Sequence, residues 1–87
     1  MARDRKYGKV TLENGTIGED EPVVVFRATD ALLPKVLLYY HLFAAKLGSP
    51  RRHLDMIMDS REDVLKWQAR NETRVPNSEF SREWLGG

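Results

Sequence analysis

The amino-acid sequence predicts an α+β fold in which a small N-terminal β-hairpin and strand pack against an antiparallel two-helix hairpin, followed by a short C-terminal helix. Three observations favour it: an early hairpin signal, one β-branched apolar run, and two helical patterns separated by a very short turn. We expect residues 1–77 to form a single small α+β domain and residues 78–87 to form a tail with a short helix.

The β element is expected within the first 26 residues. Residues 9–13 and 16–17 alternate apolar and polar side chains around Asn14 and Gly15. Asn-Gly is the strongest signal for a two-residue hairpin turn, because the turn needs positive φ at both positions. Residues 23–26 (VVVF) follow Pro22 and are continuously apolar, which is typical of a strand covered on both faces.

The first helix dominates the sequence. Asp30 or Thr29 is predicted to cap a helix that starts near Leu33, and Gly48 is predicted to end it. Residues 35–47 are apolar nearly all round, a pattern of helices that are buried on most sides. Because a chain of 87 residues buries a small fraction of its surface, a second copy is favoured over the chain's own segments as the cover.

The second helix is predicted from Pro50 to about residue 70. Ser49 is a good N-cap and Pro50 suits the first helical position. The short turn after Gly48 implies that the two helices are antiparallel. Arg61 falls within the apolar face, so we expect it to extend to solvent or to pair with an acid. The residues that begin at Ser60 resemble a capping box, so two alternatives stay open: a continuous helix, or one that kinks or restarts at Ser60.

Composition narrows the function classes. A formal net charge of +1 gives no global attraction to nucleic acid or membrane. The absence of cysteine fits a cytoplasmic protein and excludes a disulfide framework. No apolar run approaches the ~20 residues that span a bilayer. We find no nucleophile–base pair, cofactor motif or metal-ligand spacing, so we expect no catalytic residue, no cofactor, no metal site and no enzymatic activity.

The sequence instead favours a protein–protein interaction module that forms a homo-oligomer, a dimer being favoured. Aromatic and methionine side chains are enriched at interface hot spots. The predicted interface consists of Leu37, Leu38, Tyr40, His41, Phe43, Met56, Trp67, Phe80 and Trp84. Whether the tail folds back so that Phe80 and Trp84 cover Met56 and Trp67 stays open.

Two other functions are weighed. A small ligand or nucleotide could bind between subunits at a site lined by Arg27, Lys35, Tyr39 and His41. A DNA-binding helix-turn-helix is the third reading, suggested by Arg51 and Arg52 after the short turn. Acidic residues on the same helix would repel a phosphate backbone, so nucleic acid is disfavoured.

Several segments also resemble a known family when they are taken together. They are EPVVVFRATDALLP, an apolar helix ending at Gly48, and then HLDMI, LKWQ and RVPN. This pattern, over residues 6–77, resembles a family of small proteins from tailed phages of actinobacteria and related bacterial genomes. Thr29 stands where the family pattern has Gln, and the tail after residue 77 departs from it. The resemblance implies a phage accessory protein without assigned enzymatic activity, made in the host cytoplasm. The surplus of apolar surface and the absence of catalytic motifs add the hypothesis that it binds and modulates a host protein.

Overall fold

The computed structural model describes residues 2–76, in which a two-stranded antiparallel sheet accompanies two packed helices. This confirms the small α+β fold. The elements are β1 (Arg3–Asp4), β2 (Gly8–Lys9), α1 (Leu33–Lys46) and α2 (Arg51–Gln68). The predicted tail helix, with Phe80 and Trp84, lies outside the described residues.

The hairpin lies earlier in the chain than predicted. Arg3 pairs with Lys9 and Asp4 with Gly8, so the turn comprises residues 5–7. The reason is the Asp4 side chain, whose Oδ1 accepts the Lys6 and Tyr7 N–H groups, each at 2.7 Å. The hairpin therefore forms at this aspartate turn and not at the Asn-Gly pair. Gly15 does adopt φ 83°, but the residues flanking it form no strand pair.

Residues 23–26 do not form the predicted strand. The segment lies beside β1 and makes only isolated hydrogen bonds to it. Val23 donates to the Arg3 carbonyl at 3.0 Å, and Val25 donates to Asp4 Oδ2 at 2.7 Å. Val23 and Val25 are half-buried while Val24 and Phe26 are exposed. The segment therefore buries one face, and the continuous apolar run does not indicate cover on both.

Helix α1 starts at Leu33 as predicted, without the expected cap. Its N-cap residue is Leu32 and makes no side-chain cap hydrogen bond. Asp30 Oδ1 instead accepts the Leu32 N–H at 2.8 Å and stabilises the turn before the helix. The C-terminus is confirmed: Gly48 has φ 87°, and its N–H and that of Ser49 donate to Ala45 and Ala44. This is a Schellman motif, which needs the left-handed residue that glycine supplies.

Helix α2 runs unbroken through Ser60. Ser49 is not its cap, because Pro50 occupies the N-cap position and its carbonyl accepts the His53 and Leu54 N–H groups. The helices are antiparallel, since Tyr40, midway along α1, contacts His53 near the start of α2. At the other end, Arg61 Nε donates to the Pro34 carbonyl at 3.0 Å. Arg61 thus pairs with backbone rather than with an acid.

The apolar core of residues 2–76 is small: its buried apolar residues are Ala2, Ala31, Leu33 and Pro34. A buried polar side chain joins the helices to the segment before α1. Gln68, 1% exposed, donates from Nε2 to the Ala28 and Asp30 carbonyls, each at 3.0 Å. Arg74 then pairs with the same segment, accepting from the Ala31 N–H and donating to the Thr29 carbonyl.

Replacing Gln68 by methionine tests this join. Gln68→Met keeps the approximate length of the side chain but removes both N–H donors to Ala28 and Asp30. We expect the free energy of unfolding to fall by about 1–3 kcal/mol, measured by chemical denaturation. Arg70→Met, at an exposed position near the same helix end, is the control and should stay within about 0.5 kcal/mol of wild type. Equal stability of both variants would contradict the structural role of Gln68.

Candidate functional site

An uncovered apolar stripe runs along α1 and onto its C-cap residue, Leu47. Val36, Tyr40, Phe43 and Leu47, called here the α1 seam, follow one another at spacings of four, three and four residues. All four are exposed, Phe43 at 63% and Leu47 at 85%. Alternating steps of four and three keep side chains on one line of a helix, as in coiled coils. The structure therefore leaves a helix face of about three turns in contact with solvent.

Residues of α2 extend this face. The Tyr40 hydroxyl hydrogen-bonds His53 Nε2 at 3.0 Å, and the two rings meet edge to face at 5.8 Å between centroids. Met56 lies one turn beyond His53 on the same side of α2 and is exposed. Trp67, three turns further along that edge, is half-buried. The Tyr40–His53 contact satisfies the phenol and leaves the neighbouring apolar side chains available for docking.

The described residues of the predicted interface separate into two groups. Tyr40, Phe43 and Met56 are exposed, whereas the remainder are half-buried: Leu37, Leu38, His41 and Trp67. Sequence reasoning missed Val36 and Leu47, which complete the α1 seam. The signal was present in the four-three-four spacing, but an all-round apolar helix hides which of its stripes faces the second helix.

A second candidate site is a cleft of about 710 Å³ beside the hairpin. Five cationic side chains line it and define the name basic cleft: Arg3, Arg5, Lys6, Arg27 and Arg74. They come from the hairpin, from the segment before α1, and from the segment after α2. The hydrogen bonds from Val23 to Arg3 and from Ala31 to Arg74 bring these three segments together.

Asp4 is the buried acid under this cleft. The Val25 N–H, followed by that of Tyr7, holds the pKa of Asp4 below its ordinary value. Burial opposes this effect, and the Lys6 N–H and ammonium add to it. A carboxylate that accepts several backbone N–H groups is stabilised in its charged form. Asp4 therefore stays ionised and fixes the hairpin to the Val25 segment.

The structure brings one of the four residues of the predicted ligand site, Arg27, to the basic cleft. Arg27 lines the basic cleft, but Lys35, Tyr39 and His41 are absent from its lining and lie along α1. Lys35 and Tyr39 are exposed and His41 is half-buried. Over residues 2–76, no cluster of three or more metal-ligating side chains occurs. Within the same range, neither helix combines the length and apolarity that crossing a membrane requires.

No protein-family model, curated protein or solved structure matches the chain. The resemblance to the phage family thus stays a prediction.

The lowered pKa of Asp4 predicts an acid-dependent contribution to stability. The folded pKa lies below the unfolded value of about 3.9. The contribution is therefore complete above the unfolded pKa and is lost as pH falls through the folded one. Asp4→Asn cannot accept the same N–H groups with both side-chain atoms, so we expect a lower melting temperature at neutral pH. The difference from wild type should shrink as pH falls below about 4.

Thermal unfolding followed by circular dichroism between about pH 7 and pH 3 would measure this difference. Asp59→Asn, at an exposed position of α2, is the matched control. Its melting temperature should follow that of wild type at every pH. A gap between Asp4→Asn and wild type that does not change with pH would contradict the proposed ionisation of Asp4.

Proposed function

We propose that the protein is a non-enzymatic protein–protein interaction module of the cytoplasm that self-associates as a dimer through the α1 seam. The single observation that carries this proposal is the exposure of Val36, Tyr40 and Phe43 along one line of α1, continued by Leu47 at its C-cap. The absence of cysteine supports a reducing compartment. A host protein, the partner hypothesised from the surplus of apolar surface, would dock on the same face.

The chemistry of the α1 seam supports an apolar partner. Its side chains are two aliphatic residues and two aromatic ones, and none is charged. Aromatic rings bury large apolar areas at little conformational cost, which makes them effective interface anchors. Contiguous exposed apolar patches are unusual on monomers and mark interaction sites. A second copy offers the same stripe, so an isologous interface is self-complementary by symmetry.

The length of the α1 seam sets the expected affinity. From Val36 to Leu47 the helix advances about 17 Å at its usual rise of about 1.5 Å per residue. Such a short contact belongs to the small class of interfaces, below about 1,200 Å² in total, which are weak or transient. We therefore expect dissociation constants in the micromolar range, about 1–100 μM.

A charge placed in the α1 seam tests the proposal. Phe43→Glu would bury a carboxylate against the partner's apolar side chains, which is costly without a paired cation. We expect the dimer dissociation constant to rise at least about ten-fold, equivalent to 1.4 kcal/mol. Light scattering over a concentration series, with native mass spectrometry, measures it.

The matched control is Leu42→Glu. Leu42 lies on the same helix, is 53% exposed and faces away from the α1 seam. This variant introduces the same charge and should leave the dimer intact. Circular dichroism establishes that both variants keep their helix content. A wild-type protein that remains monomeric at high concentration, or equal weakening by both variants, contradicts self-association through this face.

A further inference from the structure

We propose that the basic cleft binds a nucleoside phosphate, with the phosphates held by its guanidinium groups and the base stacked on an exposed aromatic ring. This site is separate from the α1 seam and does not depend on self-association. Three features of the cleft support this proposal: its concentration of cations, its aromatic wall, and the backbone hydrogen bonds of its two carboxylates.

The cations are concentrated far beyond what the composition suggests. The whole chain carries a formal net charge of +1, yet five cationic side chains line this one cleft. All five are exposed, so their charged groups are available to a ligand. Arginine presents a planar array of donors that matches phosphate oxygens in a bidentate way. A concave site lined by one sign of charge also raises the local concentration of an oppositely charged ligand.

The wall of the cleft is aromatic and apolar. Tyr7 and Phe26 line it and are 43% and 50% exposed. Exposed aromatic rings beside basic side chains are the arrangement that stacks nucleobases while phosphates pair with cations. The 710 Å³ volume falls within the ~300–1,000 Å³ range of small-molecule sites. A concave cavity of this size suits a nucleotide better than an extended acidic peptide.

The two acids in the cleft serve the fold. Both Asp4 oxygens accept backbone N–H groups, from Lys6 and Tyr7 on one oxygen and from Val25 on the other. Asp30 Oδ1 accepts the Leu32 N–H. Backbone donors therefore occupy these carboxylate oxygens and offset part of their negative field. Five cations against two such acids leave the cleft with an excess of positive charge that attracts phosphate.

Titration calorimetry with ATP, inorganic pyrophosphate and adenosine separates the parts of the site. We expect ATP to bind at least about ten-fold more tightly than either pyrophosphate or adenosine, because only ATP uses both the cations and the ring. Affinity should fall when NaCl rises from about 50 to 200 mM. A short oligothymidylate that competes with ATP would support the same chemistry and identify a strand as the source of the nucleotide.

Matched variants separate the contribution of the guanidinium groups to ATP affinity from that of the aromatic ring. Arg27→Ala combined with Arg5→Ala should weaken ATP and pyrophosphate binding at least about ten-fold. Phe26→Leu should weaken ATP binding and leave pyrophosphate binding unchanged. The control is Lys46→Ala combined with Arg52→Ala, which removes two exposed cations near the turn between the helices and should change neither. No binding of ATP or oligothymidylate by the wild-type protein, or pyrophosphate binding as tight as that of ATP, overturns the proposal.

Discussion

The hydrogen bonds from Gln68 to the Ala28 and Asp30 carbonyls are the constraint on which the described structure depends. Within residues 2–76 only four small or medium apolar residues are buried, namely Ala2, Ala31, Leu33 and Pro34, so burial of apolar area alone contributes little to holding the β segment on the helices. A buried polar side chain also holds the hairpin in place, because Asp4 accepts three backbone N–H groups. Buried polar side chains with all partners in place specify one arrangement more sharply than a loosely packed apolar contact.

The hydrogen bonds of Gln68 also determine where the two candidate surfaces lie. Gln68 and Arg74 hold the segment before α1 at the end of the helical hairpin where α1 begins and α2 ends. The rest of α1 and its C-cap residue Leu47 project beyond that contact, and Tyr40, Phe43 and Leu47 stay exposed there. The same join brings Arg27 and Arg74 beside the hairpin cations. The α1 seam and the basic cleft are therefore two consequences of one packing arrangement.

The sequence predicted the helices well because their signals are local. Gly48 and the start at Leu33 depend on backbone conformation within a few residues, and short-range patterns describe such features directly. The hairpin could not be found this way, because the Asp4 turn competes with an equally reasonable Asn-Gly turn. Gln68 looked like an ordinary polar residue at a helix end. The basic cleft joins residues as distant as Arg3 and Arg74, and no pattern in a single sequence indicates that they meet.

The small core and the exposed α1 seam are linked energetically. A chain of this size buries about 60% of its unfolded surface, and its stability is correspondingly marginal. Anything that binds the folded state alone stabilises it by mass action, in proportion to the logarithm of concentration over dissociation constant. Association through the α1 seam requires a formed helix, because its four side chains share a line only in that conformation. The proposed self-association would therefore stabilise the helical hairpin itself, because the dimer would bind only chains in which α1 is formed.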